Sequence, residues 1–236
     1  IGQEGFLLKT IQCDSPYIVL AARSDRGLLY GVFYFLRLLQ TQQRLSSLRV
    51  LESPSAPLRM INHWDNLDGS VERGYAGKSI FYANNHLTTD LDRVRAYARL
   101  LASVGLNGIV VNNVNVHQEE TRLIGDQLWI VRQLADVFRA YGLQVYLSVN
   151  YAAPLQLGGL PTADPLDKAV QQWWHNTVAQ IYEQIPDFGG FLVKADSEGR
   201  PGPFTYGRNH ADGANLLAAS LRPYGGLVIW RCFVYN

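Results

Sequence analysis

From Leu58 onward the sequence alternates five short apolar runs with four helical patterns, and this alternation restricts the fold more than any other feature. The runs fall at 58–63, 108–111, 143–149, 188–193 and 227–230. Between them lie helical segments at 90–104, 126–141, 165 or 166 to 185, and 210–221. In the first of these, Leu91, Val94, Tyr97, Ala98 and Leu101 fall on one face at the spacing of an amphipathic helix. Gly105 and Gly142 stand just past two of the helices, where left-handed backbone closes a helix end. Helices of this length serve as right-handed crossovers between parallel strands. Runs this apolar need cover on both faces, which a doubly wound sheet and a (β/α)8 barrel both provide. No glycine-rich phosphate loop follows the first run, which disfavours a nucleotide-binding sheet. Long polar and aromatic segments follow the runs, and a barrel gathers its chemistry at that end of its strands. The expected fold is therefore α/β: an incomplete (β/α)8 TIM barrel of about five β/α units over 58–236.

Residues 1–57 read differently. Gly5–Leu8 and Tyr17–Ala21 have strand character, and Gly27–Gln40 carries a broad apolar helical face with Asp25 as its candidate cap. Ser53-Pro54-Ser55-Ala56-Pro57 reads as a linker. Two strands and one helix are too few for an independent core. The segment is expected to be the C-terminal part of a small N-terminal α/β domain. The chain opens on Ile1, which is read as a start inside a longer protein; cytoplasmic and exported locations both stay open.

Composition narrows the function classes. Hydrophobic residues make up 47% and charged residues 17%, as in an ordinary packed protein. A net charge of +1 gives no reason to expect nucleic acid or an anionic membrane as partner. No apolar run approaches the length of a membrane-spanning helix. Cys13 and Cys232, far apart, make neither a disulfide framework nor a zinc site and are read as reduced thiols. Aromatic residues reach 11%, a weak pointer to carbohydrate, because the C–H face of a sugar packs on a π surface.

The strand ends carry the chemistry. The first leads into His63-Trp64-Asp65-Asn66, a Trp platform beside groups able to hydrogen-bond a sugar, or simply a loop shaped by Asx turns. Glu72-Arg73-Gly74-Tyr75-Ala76-Gly77 follows as a lid or a long loop. The second runs into Asn112-Asn113-Val114-Asn115; asparagine is a poor strand former, so these amides serve sugar hydroxyls or the strand's own backbone. The third ends in Asn150-Tyr151. The fourth holds Lys194-Ala195-Asp196-Ser197-Glu198-Gly199. A lysine near a carboxyl lowers its pKa and burial raises it, so a glutamic acid donor needs burial to prevail. Lys194 is better spent on an acidic sugar. The fifth ends in Trp230-Arg231, and arginine holds a carboxylate through two parallel hydrogen bonds. Lys194 and Arg231 on neighbouring strand ends would form a cationic pocket suited to a uronic acid; the structural alternatives are a surface ion pair of Lys194 with Glu198 near a turn and a bridge from Arg231 to a barrel carboxylate.

These motifs resemble a known family. Asn62-His63-Trp64-Asp65-Asn66-Leu67-Asp68-Gly69, Glu72 to Gly77, Gly190 to Gly199 with Pro201-Gly202-Pro203, Tyr206-Gly207-Arg208, His210 to Asn215 and Trp230-Arg231 with Phe233-Val234-Tyr235 look like the family 67 α-glucuronidases of xylan breakdown. Gly27–Gln40 resembles the last helix of that family's N-terminal domain. The resemblance covers essentially the whole chain in order. It implies hydrolysis of the α-1,2 bond between (4-O-methyl-)glucuronic acid and a terminal xylose of xylooligosaccharides, with inversion and without metal or cofactor. It implies Glu198 as general acid, Lys194 and Arg231 as uronate ligands, Trp64 as an aromatic wall, and Val114 or Val116 beside the 4-O-methyl group. Asp65, Asn113 and Asn115 complete the candidate substrate-binding set on residue type.

The family's general-base carboxylates come from later barrel strands, and nothing in this sequence matches them. Inversion needs a second carboxylate about 6.5–9.5 Å from the acid. The 236-residue chain is therefore expected to be inactive alone, and poorly stable because an unclosed barrel leaves open edges. The family often dimerises through a C-terminal helical region that has no counterpart here, so a homodimer is an expectation for the full-length protein only. Two other readings remain: a hexosaminidase-like barrel enzyme, for which two cations have no purpose, and a binding module without catalysis.

Overall fold

The computed structural model describes residues 1–196 and 199–232. In chain order the elements are β1 (Phe6–Ile11), β2 (Tyr17–Ala22), α1 (Asp25–Gln40), β3 (Arg49–Glu52), β4 (Met60–Asn62), β5 (Tyr82–Ala83), β6 (His86–Leu87), α2 (Leu91–Ser103) and β7 (Gly108–Val111). They continue with α3 (Gln118–Thr121), α4 (Leu128–Arg139), β8 (Gln144–Val149), α5 (Ala153–Gln156), α6 (Lys168–Gln184), β9 (Gly190–Lys194), α7 (His210–Leu221) and β10 (Leu227–Arg231).

Five strands form one parallel sheet in the order β4-β7-β8-β9-β10. Each new strand joins on the same side as the last. A doubly wound sheet reverses its order at a switch point; this one does not. It curls into a half-barrel, the architecture an incomplete barrel requires. Alternation along the strands separates the two faces. Ile61, Ile109, Val111, Val145, Leu147, Val149, Phe191, Val193 and Val228 pack outward into the main core with α2, α4, α6 and α7. Met60, Val110, Tyr146, Leu192 and Ile229 gather on the other face with Trp64 and Val114.

The helix boundaries follow from capping. Asp90 accepts from the amide of Arg93 at the start of α2, and Asn209 from that of Asp212 at the start of α7. Gly105 (φ +81°) and Gly142 (φ +73°) close α2 and α4 in left-handed backbone. Two expectations shift. The α1 cap is Ser24, whose hydroxyl accepts from the amide of Gly27; Asp25 sits in the first turn, where its charge suits the positive helix end. The helix expected from 165 or 166 begins at Lys168, because the Asp167 side chain captures the amides of Ala169 and Val170.

The N-terminal segment holds one strand more than expected. β3 pairs antiparallel with β1, giving the order β2-β1-β3, and Phe6, Leu8 and Tyr30 are buried against α1. Arg26, Arg59 and Asn107 converge on the carboxylate of Glu4, and Tyr30 donates to the carbonyl of Leu106. These bonds tie the small sheet to the N-terminal ends of β4 and β7. Among the described residues no helix is long and apolar enough to cross a membrane.

Candidate active site

The parity of the strands decides which side chains meet. Lys194 lies two residues beyond Leu192, and Arg231 two beyond Ile229, so both rise on the face of the inner apolar cluster. They are register partners on adjacent parallel strands, β9 and β10. The Arg231 guanidinium carbon stands 5.7 Å from the centroid of the Trp64 ring, a cation–π contact. Its Nη1 is buried and has no acceptor among the described residues. The Lys194 ammonium donates to Asn115 Oδ1 at 2.7 Å. Val114, Val116, Asn115, Asn150, Lys194 and Arg200 line a small recess at this level. The structure thus brings together Trp64, Asn115, Lys194 and Arg231 from four different strand ends. Glu198, the expected acid, and Ser197 lie outside the described residues, as do Phe233, Val234 and Tyr235.

Two further residues of the expected set, Asp65 and Asn113, are engaged by the protein's own loops. Asp65 is 1% exposed. One carboxylate oxygen meets His63 Nε2 at 2.8 Å, and the other accepts from the Ser79 hydroxyl and the amides of Ile80 and Phe81. Burial alone would raise this carboxyl. The neighbouring His63, the Ser79 hydroxyl and the Ile80 amide outweigh it and hold the group below the usual carboxylate range. Asn113 is fully buried. Its Nδ2 donates to Asn66 Oδ1 (2.9 Å) and the Glu72 carbonyl (2.8 Å), and its Oδ1 accepts from the Asn115 amide (2.9 Å). Their polar atoms hold the loops that carry Trp64 and Asn115.

The 66–87 segment is a strap built from short pairings. Bridges join Asp65 to Val71 and Ser70 to Lys78, and β5 and β6 form a hairpin whose turn, Asn84-Asn85, has positive φ at both positions. Consecutive asparagines in a two-residue turn are a sequence signal for such a hairpin. Glu120, absent from the sequence-derived set, is 4% exposed and anchors the strap from β7's side. It accepts from the amides of Leu67 (3.0 Å) and His117 (3.1 Å). Burial would raise its carboxyl, yet the His117 side chain and the Leu67 amide keep it below the ordinary value. The same contact lifts His117 above the usual imidazole range. Larger grooves lie elsewhere, between α1 and α2 beside Phe33, Leu36, Arg37 and Arg99, remote from the strand ends.

Comparison with known proteins gives the lineage. The chain is 49% identical over 233 residues to a probable alpha-glucuronidase A of Aspergillus terreus, covering 99% of this chain and 27% of that protein. It is 50% identical over 226 residues to alpha-glucuronidase A of Emericella nidulans, covering 94% of this chain and 26% of the relative. The chain therefore spans about a quarter of the length of these relatives. Among solved structures, a GH138 enzyme targeting pectin rhamnogalacturonan II superposes with TM-score 0.56 at 15% identity, over 94% of this chain and 33% of that one. A β-N-acetylhexosaminidase superposes with TM-score 0.55 at 13% identity, over 99% and 59%. At such identities the likeness concerns the fold alone. Residues 38–236 match the family model described as the glycosyl hydrolase family 67 middle domain, and this chain belongs to that family.

Proposed function

We propose that this chain supplies the uronate-recognition and proton-donating part of an enzyme that releases (4-O-methyl-)glucuronic acid from the α-1,2 linkage to the terminal xylose of xylooligosaccharides. The observation that carries this reading is the Arg231 guanidinium, which stacks on Trp64 beside the register-paired Lys194 with a buried Nη1 that lacks an acceptor among the described residues. A buried donor of fixed charge without an acceptor favours an anionic ligand. A uronate carboxylate supplies one, and the sugar ring meets the Trp64 face. Val114 and Val116, 3% and 2% exposed, border the same recess and give an apolar wall for a methyl ether. The names of the 49–50% identical relatives agree with this substrate class.

In this reading Glu198 protonates the glycosidic oxygen as the bond to glucuronic acid breaks. Water attacks the opposite face of the sugar, activated by a second carboxylate about 6.5–9.5 Å away, and the configuration inverts. The five β/α units form part of an eight-stranded barrel, and the base comes from its later strands. Asp65 and Asn113 act by positioning the loops. The test uses the protein at the full length of its relatives. Glu198→Gln should lower turnover of xylooligosaccharide substrates by a factor of about 10²–10⁴ or more while leaving KM within a few-fold. Free glucuronate should inhibit competitively and glucose should not. Inhibition by both sugars alike, or wild-type turnover in the Gln variant, would overturn the assignment.

A further inference from the structure

The recess contains an amide whose orientation is dictated by its neighbour. Lys194 carries an ammonium, which only donates hydrogen bonds. The Asn115 atom facing it at 2.7 Å must therefore be the carbonyl oxygen. That choice turns Asn115 Nδ2 the other way, and it has no hydrogen-bond partner among the described residues. Asn115 is 8% exposed and lines the recess beside Val114, Val116 and Lys194.

The backbone beneath Asn115 is equally constrained. Its amide donates to Asn113 Oδ1, and Asn113 Nδ2 donates to the carbonyl of Glu72. Asn66 Nδ2 donates to that same carbonyl at 2.9 Å. The amide of Glu72 in turn donates to the carbonyl of Trp64 at 3.0 Å. Glu72 itself adopts φ +59°, a left-handed conformation that a side-chain-bearing residue takes only when its surroundings enforce it. A continuous hydrogen-bonded path thus runs from the aromatic platform to the ammonium.

Building on the uronate reading above, we propose that Asn115 is a specificity-determining residue: it aims the Lys194 ammonium and presents its own amide NH2, never its oxygen, as a further donor to the anionic sugar. The pocket then offers three kinds of donor, from arginine, lysine and amide, and excludes acceptors from the carboxylate's surroundings. Asparagine is required because aspartate, of nearly the same shape, would place an anion against Lys194 and remove the donor. Asn113 is the positioning residue that sets the backbone of Asn115.

The experiment compares Asn115→Asp and Asn115→Ala in the protein at full family length, on a glucuronosyl-xylooligosaccharide. Removing a partner of a charged group predicts a KM about 10-fold higher for the Ala variant. The Asp variant should be worse, about 100-fold or more, because repulsion is added to the loss. Turnover number should change by less than about 3-fold in both, since the carboxylate is bound equally in ground and transition states. A merely structural role predicts the reverse ranking, with the near-isosteric Asp tolerated better than Ala and thermal midpoints falling in step. That ranking, or a KM for Asn115→Asp within about 2-fold of wild type, would overturn the proposal. Should Asn115→Asp fail to fold, an unchanged KM in Asn115→Ala overturns it alone. If wild type itself releases no glucuronic acid, the functional reading falls first; if wild type is active and the variants are indifferent, only the Asn115 assignment falls.

Discussion

Both carboxylate oxygens of Asp65 are taken by donors from its own chain, with His63 on one side and Ser79, Ile80 and Phe81 on the other. Its folded-state value is depressed, so its contribution to stability is complete above the unfolded value of about 3.9 and disappears as pH falls through the folded value. Asp65→Asn should therefore lower stability at pH 7 by about 1–3 kcal/mol. The gap from wild type should narrow below about pH 4. Thermal melts of both proteins across that range check this; a gap that widens on acidification argues for a different role. The residue types at the strand ends were legible in the sequence, but their division of labour was not. Asp65, Asn113, Asn115 and Lys194 all read as sugar ligands by type. Only the positions of Ser79, Glu72 and Asn66, 14 to 47 residues away in sequence, tie Asp65 and Asn113 to the loops.

Gly190 opens β9 with φ +132°, and a Cβ there would lie 2.0 Å from the carbonyl oxygen of Leu227 on β10. The close approach is backbone against backbone, so no side-chain rotation relieves it. Gly190→Ala should weaken the β9–β10 pairing that sets Lys194 against Arg231, costing roughly 1–3 kcal/mol for the enforced conformation alone. Lowered thermal midpoint together with raised KM is the expected result; an unchanged KM would separate this pairing from the site. At this scale α2 was readable to within a residue, because its apolar face and the closing Gly105 agreed, and α7 spans the bounds expected for it. β3 was not readable: Arg49-Val50-Leu51-Glu52 is short, polar at both ends, and ordered by pairing with β1. The β5–β6 hairpin was missed although Asn84-Asn85 announced it.

β4 and β10 form the two margins of the five-stranded sheet, each paired on one side only within it. Such margins present unpaired backbone donors and acceptors that a closed barrel would satisfy. The relatives are nearly four times as long, and the chain covers 27% of one of them. Two outcomes are expected for the isolated 236-residue chain. It should release no glucuronic acid, and its thermal transition should be broad or accompanied by self-association. Detectable sugar release, or a sharp two-state transition of a monomer in sedimentation and calorimetry, would count against this. The junction around Glu4 works in the other direction, since Arg26, Arg59 and Asn107 fasten the small sheet to the base of the parallel one.

What the sequence determined by itself was periodic or local. Apolar runs spaced by amphipathic helices dictated parallel strands, because each crossover helix must bury one face on the sheet. Its motifs placed lysine, arginine and tryptophan at strand ends. The tertiary structure decided which of those side chains share a face and what each one touches. Register aligned Lys194 with Arg231, a long-range stacking contact set Arg231 on Trp64, and an ammonium dictated the orientation of Asn115. These are relations between residues up to 167 positions apart, and hydrogen-bond direction depends on the partner in space, which the order of residues along the chain does not encode.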